Sequence, residues 1–341
     1  MRARALLSAG GAAILLLGSF TPVSASAAAD TAPAAPPETL FVTQSTTLDA
    51  DHVGNVRIDA DGVVLDCAGH AVKGPGAATG FDGGIVFADR KDITIRRCVI
   101  SGFAYNGIFG SGTNVRIEGN TLFENAAHGM HLAGSVDSIV IGNTARANGA
   151  LGFVVTASKK VTVADNVATD QAKWGGFSIA GTTASLVVAN VATRNGGGFI
   201  VDDFENGIPS TGNTITRNAA TKNGQGFIVL HGSTGNTFTS NTSNRNDYAG
   251  FQAHSSGNTY IGNIANLDHD GFGIYKGNGN VLARNTANGN TQYGFVVFGG
   301  SSDNVLVRNT ALRNDKKDAW EEGTGTGDVW ARNRFRTTFG L

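Results

Sequence analysis

Proline and methionine are nearly missing from these 341 residues, with six of the first and two of the second. Proline removes the N–H that ladder pairing needs, so its scarcity leaves extended pairing open along almost the whole chain. No stretch after the first 30 residues holds a helical period, which excludes leucine-rich and helical solenoids. No second long apolar run follows the N-terminal one, so no membrane span is expected in the mature protein. The net charge is −1, without the basic face that a nucleic-acid partner would call for. Only two cysteines are present.

Glycine and asparagine, by contrast, recur on a beat. Asn120, Asn143, Asn166, Asn190, Asn218, Asn241, Asn263, Asn285, Asn309 and Asn333 stand 22 to 24 residues apart, save the 28 from Asn190 to Asn218. A second polar column follows about five residues later: Asn125, Asn148, Asp170, Asn195, Asn223, Asn246, Asp268, Asn290 and Asn314. Gly followed by an apolar residue makes a third, from Gly107-Ile108 to Gly294-Phe295. Between the columns apolar residues alternate in short Val/Ile/Phe/Thr runs, as in Val115, Ile117 and Phe153, Val155. Period two means strands, and self-similarity at this spacing means stacked coils. The expected fold is all-β: a single-stranded right-handed parallel β-helix of about ten to eleven coils with an Asn ladder. Asn suits the turns because it tolerates positive φ and its amide bonds to the Asn above and below.

The domain reading follows. Arg2 and Arg4, an apolar core from Ala5 to Phe20 and small residues near Ala27 predict a signal peptide over 1–29. Residues 30–39 read as a flexible Ala/Pro-rich lead-in, and 40–341 as the β-helix, closed by an aromatic cap of Trp320, Trp330, Phe335 and Phe339. Localisation is therefore secreted, periplasmic or cell-surface. Cys67 and Cys98 fall in neighbouring coils and pair if the registers match; two buried thiols is the alternative.

The stretches GFIVLHGSTGNTFTSNTSNRN, Gly226 to Asn246, and VVLDCAGHAVKG, Val63 to Gly74, resemble repeats of the right-handed parallel β-helix superfamily. That superfamily holds pectate and alginate lyases, mannuronan epimerases, polygalacturonases, phage tailspikes and periplasmic copper-loading accessory proteins. The resemblance implies a polysaccharide lying along one outer sheet, in a groove walled by long turns.

Counting outward from each Gly-Phe pair, the second and fourth residues after Gly face out. The fourth column, with its next residue, collects Asp202, Asp203, His231, His254, Tyr275 and Lys276 on successive coils, and these are the candidate catalytic residues. The 28-residue interval places an insertion, Asp202 to Ser210, at the same place, and solenoid insertions mark binding faces. The lead-in turns on the other edge carry Lys173, Trp174, Tyr248, His269, Asp270 and Tyr293, which with Glu205 are the candidate substrate-binding residues.

Uronate elimination or epimerisation needs a base, a proton donor and a cation for the carboxylate; His231, His254, Tyr275 and Lys276 are the right types. Hydrolysis needs two placed carboxylates, and the preceding coil, Gly175 to Thr183, supplies none. The copper-loading reading suffers from having only Met1 and Met130. No cofactor is expected, with calcium left open at Asp202, Asp203 and Glu205, three acids against a shell of six to eight oxygens. The plainer readings are a solvated loop for Asp202-Asp203 and surface polarity for His128 and His131. The leading function is a secreted carbohydrate-active protein acting on an acidic polysaccharide by lyase or epimerase chemistry. The alternatives are a non-catalytic glycan-binding rod, a glycoside hydrolase and a metal-binding accessory protein.

Overall fold

The computed structural model describes residues 38–75, 83–204, 207–230, 232–323 and 325–341. The leader expected at 1–29 lies outside the described residues, as do most of the lead-in, Glu205 and His231. Every described element is a short strand, and each strand pairs in parallel with its counterpart one coil away. The strands form three sheets of 14, 13 and 12 members. The first coils, from Leu40 to Cys98, stack before the first ladder asparagine, so the sheets slightly outnumber the coils counted from the Asn series.

In-register stacking puts like on like. In the first sheet Phe153, Phe177, Phe199, Phe227, Phe251, Phe272 and Phe295 follow one another inward on successive strands. Their rings lie 4.6–5.1 Å apart and within 14° of parallel, the strand spacing dictating the ring spacing. Each ring is fully buried in a close-packed interior.

The corners are held by side-chain ladders. Asn143 is typical: its backbone N–H and its Nδ2 both donate to Asn166 Oδ1 at 2.9 Å, and Nδ2 also donates to the Ile117 carbonyl of the coil before. A turn so buried would otherwise orphan its N–H and C=O groups, at about 1–3 kcal/mol each. The residue before the ladder position sits at positive φ, as at Gly142 (65°) and Arg217 (54°).

Two details differ from the sequence reading. In the second column Gln171, not Asp170, enters the ladder, accepting from Asn148 and donating to the Ala145 carbonyl. Gln171 stands 23 residues after Asn148 and 24 before Asn195, on the column's own register, whereas Asp170 is one residue early. Asp170 is left at φ 57°, outside, where it pairs with Arg194. A third ladder also runs from Ser185 through Asn213, Asn236, Asn258, Asn280 and Asn304 to Asp328.

Cys67 and Cys98 are disulfide-bonded, their Cα atoms 4.7 Å apart. The pairing of Leu65 with Ile95 and Asp66 with Arg96 brings the two thiols together. At the far end Trp330 and Phe335 pack against the core, Phe339 is exposed, and Trp320 stands on the outer face of the first sheet beside Tyr293.

Candidate functional site

The alternation holds on the outer face of the first sheet. In the strand Gly197–Asp202, Phe199 and Val201 are buried inward while Ile200 and Asp202 face out. The outward residues form two columns along the stack. Val154, Ser178, Ile200, Ile228, Gln252, Gly273, Val296 and Trp320 make the middle one. Thr156, Ala180 and Asp202 begin the exit-side column, which passes through Leu230 to His254, Tyr275 and Phe298.

From His254 onward that exit column is a second aromatic stack, outside the barrel. His254 and Tyr275 lie 4.7 Å apart at 11°, and Tyr275 and Phe298 4.5 Å apart at 19°. Trp320 meets Phe298 edge-on at 5.4 Å and stacks on Tyr293 at 5.3 Å. The rings lean back over the middle column. A Cβ at Gly273 would lie 2.5 Å from Tyr275 Cε2 and 2.7 Å from its hydroxyl, so the glycine is what lets the phenol lie there. The His254 ring stands 3.0 Å from Gln252 Oε1 through Nε2. This overlap explains why Gln252 and Val296 are buried although they face out.

The Tyr275 ring reaches across its strand toward Asp270 at the other end. Burial raises the phenol's pKa, and the Asp270 charge raises it further, so Tyr275 keeps its proton. Asp270 is itself nearly buried, accepts from the Tyr293 N–H at 3.1 Å and stands 3.3 Å from His269 Nδ1. Lys276 follows Tyr275 in a turn at φ 59° and is exposed.

The acidic half of the expected site lies apart. Asp202 is two strands from His254, about 10 Å at the strand spacing. Its Oδ1 accepts from the Asp203 N–H. The inserted loop closes as a small hairpin through Phe204 and Ile208 and folds toward the preceding coil, where Phe204 Cβ comes within 2.6 Å of a Cβ built at Gly181. Among the described residues no group of three His, Cys, Asp or Glu side chains converges on a metal position.

The entry rim carries the rings with open faces. Trp174 and Tyr248 are 50% and 60% exposed, and Lys173 beside Trp174 is exposed too. Backbone bonds run from Tyr248 to Gly224 and from Gln225 to Gly196, so two glycine coils separate the two rings along one column. In the outer stack each ring covers its neighbour's face and offers solvent an edge, whereas Trp174 and Tyr248 offer faces. Six residues of strand, about 20 Å, separate the two rims.

Phe298 and Trp320 were not among the candidates from sequence. Phe298 continues the Leu230, His254, Tyr275 series and was legible there. Trp320 was not, because the last coil reads Asp318-Ala319 where the others read Gly-Phe. His128 and His131 form a separate half-buried pair, rings 5.8 Å apart, and burial lowers both to about 4, so both are neutral. Leu151 N–H donates to His128 Nδ1, and His131 Nε2 bonds to Thr156. These are satisfied surface histidines.

No curated protein sequence matches the chain. Among solved structures, the periplasmic alginate epimerase AlgG is similar at a TM-score of 0.55 and 11% identity, over 84% of this chain and 77% of that one. The Dettilon tailspike protein gp208 is similar at 0.53 and 14%, over 84% of this chain and 61% of that one. At such identities the likeness is one of fold. The family described as "Right handed beta helix region" matches residues 60–214 and 203–311, most of the chain. The coils are thus right-handed, and the chain belongs to the right-handed parallel β-helix family.

Proposed function

We propose that the chain is an exported protein acting on an acidic polysaccharide, bound on the outer face of the first sheet and cleaved by β-elimination. The observation that carries this is the His254–Tyr275 stack, an imidazole and a protonated phenol 4.7 Å apart on one rim, with Lys276 adjoining. In elimination from a uronate, a base takes the C5 proton, those electrons become the C4=C5 double bond, and the C4–O bond breaks as an acid protonates the leaving oxygen. His254 is the base, Tyr275 the acid, and Lys276 stabilises the carboxylate as charge builds on it. Base and acid approach from the same side, which suits syn elimination. Epimerisation needs proton removal and delivery on opposite faces of the sugar, so it ranks second. Trp174 and Tyr248 would stack on sugar rings at the far rim. Export agrees with the leader expected from the sequence and with a disulfide, which persists in oxidising compartments. An alginate epimerase among the similar folds supports an acidic glycan as the class.

The test is absorbance of unsaturated ends when the purified chain meets polyuronates. Turnover that falls by about a hundredfold or more in His254→Ala and Tyr275→Phe, with melting unchanged, supports the assignment. Chelation with EDTA is expected to leave the rate intact. Absence of any product on polyuronates, with binding lost in Trp174→Ala and Tyr248→Ala, supports instead a glycan-binding rod, the reading favoured by those two open rings.

A further inference from the structure

A different corner of the solenoid, between the second and third sheets, carries Arg284, Arg308 and Arg332. They sit at the same turn on three consecutive coils: Arg284 N–H donates to the Val307 carbonyl and Arg308 N–H to that of Ala331. All three occupy positive φ, 55–56°, and all are exposed. At two other positive-φ turns of the solenoid the arginine has an acid. Arg97 pairs with Asp66, holding that carboxyl at about 2, and Arg194 pairs with Asp170. Arg284, Arg308 and Arg332 have no carboxylate partner among the described residues.

Like charges one strand spacing apart repel, and arginine gains nothing from the left-handed backbone that glycine supplies freely. The same turn is Gly119, Gly142 and Gly262 on other coils. Beside the arginines runs a second stripe, Ile261, Ala283, Val307 and Ala331, paired in register on the outer face of the second sheet. Together the stripes line a concavity of about 480 Å³.

We infer that this corner is a second binding site, for an acidic glycan laid along the solenoid axis. Pyranose rings with an apolar face settle on the aliphatic stripe, and their carboxylates or sulfates meet the guanidinium row, whose planar fork suits such anions. A nucleic acid fits less well, because no aromatic ring lines the corner to stack on a base. The site goes beyond the proposed elimination and does not depend on it. It would anchor the protein on a polyanion while the first sheet faces elsewhere.

The experiment uses the full mature chain and immobilised polygalacturonate, with affinity followed across a salt series. The triple variant R284Q/R308Q/R332Q is expected to bind about tenfold more weakly at low salt, three screened ion pairs' worth, and to lose much of the salt dependence. Arg308→Glu alone is expected to weaken binding further than Arg308→Gln, with melting unchanged in both. Arg217→Gln, at the same turn but away from the row, is expected to bind as the parent does. The triple variant is expected to keep the parent's turnover rate on saturating soluble polyuronate, which separates the corner from the first-sheet face. Wild-type affinity in the triple variant, or duplex DNA competing as well as polygalacturonate at equal charge, would overturn the inference.

Discussion

Asp268 shows what one atom does in a ladder. Each asparagine there uses Oδ1 as acceptor and Nδ2 as donor; Asn246 donates at 2.9 Å to Asp268 Oδ1, and Asp268 N–H donates to Asn290 Oδ1. The aspartate puts an oxygen where the donor belongs, and that Oδ2 is buried and unpaired in the ladder. Burial pushes its carboxyl from 3.8 up to about 7. A carboxyl that holds its proton in the fold but loses it in the unfolded chain stabilises fully below pH 3.8. Its contribution falls as pH rises to about 7 and is gone above. Asp268→Asn restores the donor. It is expected to leave stability at pH 4 nearly unchanged and to raise it at pH 8 by on the order of 2–4 kcal/mol, since each pH unit between the folded and unfolded pKa values is worth about 1.4 kcal/mol. Denaturant melts at the two pH values check this; equal gains at both would exclude a protonated carboxyl. Gly273→Ala tests the neighbouring site. Its Cβ would collide with the Tyr275 ring, the movable end of a side chain, so the ring swings away. Turnover on polyuronate is expected to fall at least tenfold while melting shifts by less than about 1 kcal/mol.

The strand-and-turn element tolerates insertions where the ladder does not run. Across the 28-residue interval Asn190 Nδ2 still reaches Asn218 Oδ1 at 3.0 Å, as in uninterrupted coils. The extra residues all leave through the hairpin at Phe204 and Ile208. Excising 204–208 is therefore expected to keep the fold and most of its stability, since no ladder contact is lost. A change in glycan affinity without a change in melting would place the loop at the binding face. The same element explains a contrast between the two aromatic stacks. Phe199→Ala empties a site packed above and below by Phe177 and Phe227 and is expected to cost about 3–5 kcal/mol by denaturant melt. Phe298→Ala removes a half-exposed ring and is expected to cost distinctly less.

At the scale of the molecule, a solenoid is nearly one-dimensional: each coil touches its two neighbours, so stability is local. The Cys67–Cys98 bond closes 31 residues of chain in the first coils. Its loss, typically worth about 2–4 kcal/mol, is expected to fall on that end alone. In C67S/C98S, limited proteolysis should cut first near the N-terminal coils, while hydrogen exchange around Phe227 to Phe295 stays as slow as in the parent. Uniform loss of protection would mean the rod unfolds as one cooperative unit.

The repeat, the parallel stacking, the inward Phe column and the Asn turns are determined by the sequence itself. Each depends on spacing along the chain, and a solenoid converts spacing directly into position. The place of Gln171 in the ladder was written in the spacing, five residues after Asn166 as Asn148 is after Asn143, but residue type favoured the neighbouring Asp170, one position off the register. The candidate site was legible as a column of residue types, with His254 and Tyr275 correctly placed as neighbours. Only the tertiary structure decided how the side chains of that column are arranged. The lean of Tyr275 over Gly273 and the fold of the Asp202 loop toward Gly181 both arise from side-chain and loop directions off the sheet, which the period leaves free.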